Sequence, residues 1–71
     1  MKIEFDKLVN ILYLRLRPGT VERTIEFAQD VYLDIDDEGH VLGAEFVNAG
    51  DFFAILNQHD GKLDIPERIP A

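Results

Sequence analysis

Val31–Phe46, VYLDIDDEGHVLGAEF, constrains the fold more than any other stretch because it carries two incompatible patterns. Asp34, Asp36, Glu38, Gly39 and Glu45 stand at the spacing of an EF-hand calcium loop, with Glu38 where Asp or Asn is usual. The flanks oppose that reading. Val31, Leu33 and Ile35 alternate with Tyr32, Asp34 and Asp36. Leu42, Ala44 and Phe46 alternate with Val41, Gly43, Glu45 and Val47. This is the period of strands, whereas an EF-hand loop is entered and left by helices. Gln29 and Asp30 also stand where an entering helix would need apolar residues. A β-hairpin accounts for the same letters, with Gly39 supplying a positive φ and the acids solvating the turn. The hairpin is the reading that follows, with Leu42, Ala44 and Phe46 facing the core and Val41, Gly43, Glu45 and Val47 facing away.

Alternation runs through the preceding half as well. Ile3 and Phe5 share one face of Lys2–Asp6, and Asp6–Asn10 then forms a turn that Asp6 can cap. In Ile11–Leu16, Leu12, Leu14 and Leu16 point inward. The outward set includes Ile11 and Tyr13, so this strand is expected to be central or covered on both faces. Arg17-Pro18-Gly19-Thr20 is a turn. Val21–Phe27 is a third strand, in which Arg23 is a misfit on the apolar face, explicable by a frayed end or by a stem laid over apolar surface. After Asn48 the period lengthens. Asp51–Asn57 suits a helix with Phe52, Phe53, Ile55 and Leu56 mostly on one side, Asn48 as its cap and Asp51 at its positive dipole end. Pro66 and Pro70 forbid a regular helix in 62–71, so Leu63, Ile65 and Ile69 belong to an extended tail that docks on its own sheet or a neighbour's.

The expected fold is therefore one α+β domain over residues 1–71. Residues 1–47 form an antiparallel β-meander of about five strands, residues 48–59 a helix packed on the sheet, and residues 60–71 a proline-containing tail. A core this small is only marginally self-sufficient, and with no cysteine in the chain no disulfide or thiolate-bound zinc can supplement it. Burial of some apolar surface against another copy, a homo-oligomer, is the natural expectation. Acids outnumber Lys and Arg by 14 to 7, a net charge of −7. That charge disfavours nucleic-acid backbones and anionic membranes, allows a basic protein partner, and serves solubility in any case. No basic segment followed by an apolar run opens the sequence, so the default location is cytoplasmic.

The order of these elements, with KIEFD, ILYLRL and VYLDIDDEGHVLGAEF, resembles a family of small prokaryotic proteins known as domain-of-unknown-function family 2283. The resemblance spans roughly residues 1–49 and includes Tyr13 and Arg15, while Phe52-Phe53 and the tail depart from it. It implies a compact β-rich domain and no established activity, and hence no catalytic residues. Some members are encoded beside other short proteins, an arrangement like a toxin–antitoxin pair.

No catalytic site emerges from the residues. There is no serine or cysteine, and Thr20 and Thr24 have no histidine near them in sequence, so a nucleophilic triad is practically excluded. His40 and His59 lack partners at zinc-ligand spacing, and His59 suits a helix C-terminus. Glu45 is the one acid to watch, because Gly43 beside it leaves room for another group. The expected function is a non-enzymatic interaction module, self-associating or binding a basic protein, with antitoxin-like neutralisation as its most concrete form and no cofactor. Phe52, Phe53, Ile55 and Leu56 are its candidate surface. The alternative is a small-ligand or divalent-cation binder that uses Asp34, Asp36, Glu38 and Glu45.

Overall fold

The computed structural model describes residues 1–70. Strands β1 (Lys2–Asp6), β2 (Ile11–Arg15), β3 (Arg23–Ala28), β4 (Val31–Ile35) and β5 (Val41–Phe46) form one antiparallel sheet. A 3-10 turn (Ala49–Asp51) and the short helix α1 (Phe52–Gln58) follow. The α+β class, the five strands and the single C-terminal helix agree with the sequence reading.

The strand order does not. A meander would run in chain order, whereas the sheet runs β1-β2-β5-β4-β3. The β1–β2 and β3–β4–β5 hairpins are joined by β2 pairing with β5, a Greek-key arrangement. The segment after β2 enforces it. Leu16 and Arg17 both donate backbone N–H groups to the Leu42 carbonyl, and Glu22 N–H then bonds the Ile35 carbonyl, so the connection spans the end of the β4–β5 hairpin. Val21 and Leu16, expected within strands, lie in this connection and are exposed. Arg23 opens β3 and is exposed, which resolves its misfit as a strand-end residue. β5 becomes the central strand, which suits its burial on nearly every position.

The core is Val31, Leu33, Ile35, Val41, Ala44, Phe46 and Ile55, with Leu63, Ile65 and Ile69 packed against it. Val41, expected to face away, is inside. Asp34 pairs with Gly43 but Ile35 with Val41, leaving Leu42 without a partner on β4. This bulge reverses the alternation beyond it and turns Val41 onto the core face. Leu42 is also buried, its methyl groups against Gly19.

Two expectations about the helix are corrected. Asn48 caps nothing; its φ is 55° and its side chain makes no capping bond. Asn10, from the β1–β2 turn, instead holds the start of the 3-10 turn that leads into α1. Its carbonyl accepts Ala49 N–H at 2.9 Å, and its Oδ1 accepts Gly50 N–H at 3.0 Å. The supposed common face of Phe52, Phe53, Ile55 and Leu56 also divides. Phe52 packs edge-on to Phe46 at 5.5 Å and Ile55 is buried, while Phe53 is 80% exposed. A turn of 100° per residue carries Phe53 off the stripe that Phe52, Ile55 and Leu56 share.

The tail docks on its own sheet. Val41 N–H bonds the Glu67 carbonyl at 2.9 Å, Ile69 N–H the Gly39 carbonyl at 2.7 Å, and Arg68 Nε the Glu38 carbonyl at 2.8 Å. Gly39 has φ +84°, and a Cβ there would collide with the Ile69 carbonyl, so this glycine serves both turn and strap.

Candidate functional site

Register divides the sheet into an outer and a core face. On the outer face, Tyr13 of β2 stands across from Glu45, next to the Arg15–Gly43 pair. Because Gly43 has no side chain, the Tyr13 ring reaches over β5. Its hydroxyl donates to Asp34 Oδ2 on β4 at 2.8 Å. Thr24 of β3 donates to the other oxygen, Asp34 Oδ1. Side chains of β2 and β3 thus converge on one carboxylate of β4. Burial, together with the hydrogen bond and the charge of Asp34, pushes the Tyr13 hydroxyl up to about 12, against the opposing pull of Arg15, whose guanidinium lies 5.7 Å from the ring centre. Gly43 does admit a neighbouring group, as its sequence position suggested, but the acid that gains the partner is Asp34 and not Glu45.

The four acids at calcium-loop spacing, Asp34, Asp36, Glu38 and Glu45, do different jobs. Asp36 Oδ1 accepts the backbone N–H groups of Glu38 (2.9 Å) and His40 (2.8 Å), and Oδ2 lies 3.2 Å from His40 Nδ1. Burial raises its carboxyl, but those backbone bonds and the histidine outweigh it and hold the group below the usual carboxylate range. Glu38 approaches His40 at 3.7 Å and is otherwise solvated. Glu45 lies on the outer face between Tyr13 and Tyr32. Asp34 is held by Tyr13 and Thr24, so the spacing that imitates a calcium loop is spread over a strand, a turn and a second strand. Among the described residues no group of three or more His, Asp or Glu is placed to hold a metal ion. Likewise among them, no helix is long and apolar enough to cross a membrane.

The core face differs sharply along its length. α1 and the tail lie over the half formed by β3, β4 and β5. The other half continues the same apolar face through Leu12 and Leu14 of β2 to Phe5 and Ile3 of β1, their register partners. There the cover stops: Ile3 is 61% and Phe5 52% exposed, and every residue of β1 is exposed. Beside them, Leu8 and Val9 of the β1–β2 turn are also open to solvent. Of the surface expected on the helix, Phe53 alone is exposed, and the larger open surface is this one. Its alternation was visible in KIEFD, but nothing local indicates whether a face finds a cover.

A family model described as "Protein of unknown function (DUF2283)" matches residues 2–49, the sheet together with the first residue of the 3-10 turn. No curated protein and no solved structure matches the chain.

Proposed function

The chain belongs to the DUF2283 family of proteins of unknown function, and on that premise we propose that it is a non-enzymatic protein-interaction module acting through the uncovered β1–β2 end of its sheet. The observation that carries this reading is the exposure of Ile3 and Phe5 on the face that, two strands further on, is the core. A contiguous apolar strip of this kind marks an interaction surface, because on an isolated copy it stays in water at a cost that a partner would remove. The helix face first expected to supply the surface is largely spent on Phe46 and the core.

The polar groups support a non-catalytic role. Tyr13, Asp34 and Thr24 satisfy one another across the strands, and a tyrosine held neutral up to about 12 is far from a working general base at neutral pH. A second version, in which the occupant is a basic protein, draws on the net charge of −7 and corresponds to the antitoxin-like role.

Sedimentation velocity combined with copurification tests the reading, with Phe5→Asp as the control. The wild type is expected in a complex, with itself or with a second protein, that Phe5→Asp abolishes while remaining folded by circular dichroism. A wild-type monomer that retains nothing lost on Phe5→Asp would sink the proposal.

A further inference from the structure

We infer that the occupant of the open end is a second copy of this chain, its β1 pairing antiparallel with β1 about a two-fold axis through Ile3, so that two sheets become one. This rests on the interaction-module reading above and names its partner.

The two edges of the sheet are built differently. β3 is interrupted by a register shift between Glu26 and Ala28, and a bulge of this kind spoils an edge for further pairing. β1 carries no such device. It pairs residue for residue with β2 from Lys2 to Asp6, without a bulge or a proline. Its free hydrogen-bonding groups can be assigned. Leu16 N–H bonds Leu42 and the Asn10 carbonyl accepts Ala49 N–H, so even-numbered residues of β2 turn their backbone toward the β5 side. Ile11, Tyr13 and Arg15 therefore bond Asp6, Glu4 and Lys2, and the N–H and C=O groups of Ile3 and Phe5 point out of the sheet.

An antiparallel partner that engages the groups of both Ile3 and Phe5 has its axis at Ile3, Glu4 or Phe5. An axis at Phe5 sets Glu4 against Asp6 of the second copy. An axis at Glu4 sets two Glu4 side chains against each other, between two Lys2–Asp6 pairs. An axis at Ile3 sets Lys2 opposite Glu4 twice, with no like charges facing. It also places Ile3 beside Ile3 and Phe5 beside Met1 on the apolar side. Cross-strand charge pairs are worth about 0.2–1 kcal/mol each, and the like-charge contacts, Glu4–Glu4 in one register and Glu4–Asp6 in the other, disfavour the two alternatives to Ile3. The apolar contacts supply the larger attraction. Within one copy Lys2 lies 3.4 Å from its own Glu4, and both side chains are exposed on the outer face of this edge.

The absence of cysteine makes a direct test possible with single-cysteine variants of the full chain. Ile3→Cys is expected to form a disulfide-linked dimer under mild oxidation. Lys2→Cys and Glu4→Cys should cross-link when mixed and not when alone. Independently, Phe5→Pro removes an outward donor and no bond within the sheet, so it should weaken dimerisation about tenfold more than Phe5→Ala, at similar unfolding midpoints. Ready cross-linking of Glu4→Cys alone would overturn the axis at Ile3. A dimer that no β1 cysteine traps would overturn β1 pairing while leaving the interaction module standing. A strict monomer would overturn self-association, and the Phe5→Asp copurification then decides whether the module falls with it.

Discussion

The two halves of the sheet share one apolar face yet have opposite fates. In β4, Val31, Leu33 and Ile35 are fully shielded, under Ile55 of α1 and the leucine and isoleucines of the tail. In β1, Ile3 and Phe5 obey the same alternation and remain in solvent. The side chains are of the same kind, so hydrophobicity does not distinguish them. What differs is the chain available to lie on top. α1 is one short helix, and the tail is pinned along the β4–β5 hairpin by Glu67, Arg68 and Ile69; Leu12 and Leu14 of β2 still pack against the core, and β1 alone is exposed throughout. The lesson is that a strand pattern specifies a face to be buried without specifying what buries it.

The contrast is open to direct attack. Its largest consequence is that Phe46→Ala should cost about 3–5 kcal/mol, while Phe5→Ala should cost well under half of that in a dilute monomer. Urea unfolding at low protein concentration measures both. Equal losses would mean that β1 is covered within the single copy. Next, Gly39→Ala should lower stability by about 1–3 kcal/mol, through the positive φ and the collision with the Ile69 carbonyl. Hydrogen exchange should show Val41 and Ile69 N–H groups losing protection first, because the strap detaches while β1–β2 is unaffected.

Tyr13 sharpens the comparison because it ties the open half to the closed one across Gly43. Tyr13→Phe should cost about 1 kcal/mol at neutral pH. The Tyr13 hydroxyl is raised to about 12 in the folded chain, above its ordinary value of 10.0. Its stabilising contribution is therefore complete below the unfolded value and lost as pH rises through the folded one. The gap between wild type and Tyr13→Phe should close between those values. The smallest effect belongs to Asp36, whose carboxyl is held low. Its contribution is present above the ordinary carboxylate value of 3.8 and lost as pH falls through the depressed one. Asp36→Asn should thus be less stable at neutral pH and converge with the wild type in acid, as thermal melts along a pH series would show.

Much of the fold was legible locally. The alternation of β4 and β5 and the turn chemistry of Asp36 and Gly39 identified the hairpin and removed the helices an EF-hand requires. Asp6 was read as a turn cap, and its Oδ1 accepts Leu8 N–H at 3.0 Å. The candidate site was less legible. Phe53 stands among Phe52, Ile55 and Leu56 in an apolar run, and only the helix phase separates it from them. Ile3 and Phe5 share one face of a half-buried strand pattern, and nothing in KIEFD differs from a covered strand. Gly43 was the one local sign of a long-range contact, a missing side chain beside which another ring lies.

By itself, then, the sequence determined the class, the strands and their turns, since period-two patterning, positive-φ glycines and Asx turns act over a few residues. Tertiary structure alone decided the order β1-β2-β5-β4-β3, the bulge that turns Val41 inward, the capping of the 3-10 turn by Asn10, the docking of the tail, and which half of the face stays open. Each of these depends on which distant groups compete for the same hydrogen bonds and the same apolar surface. That competition is settled only when the whole chain is assembled.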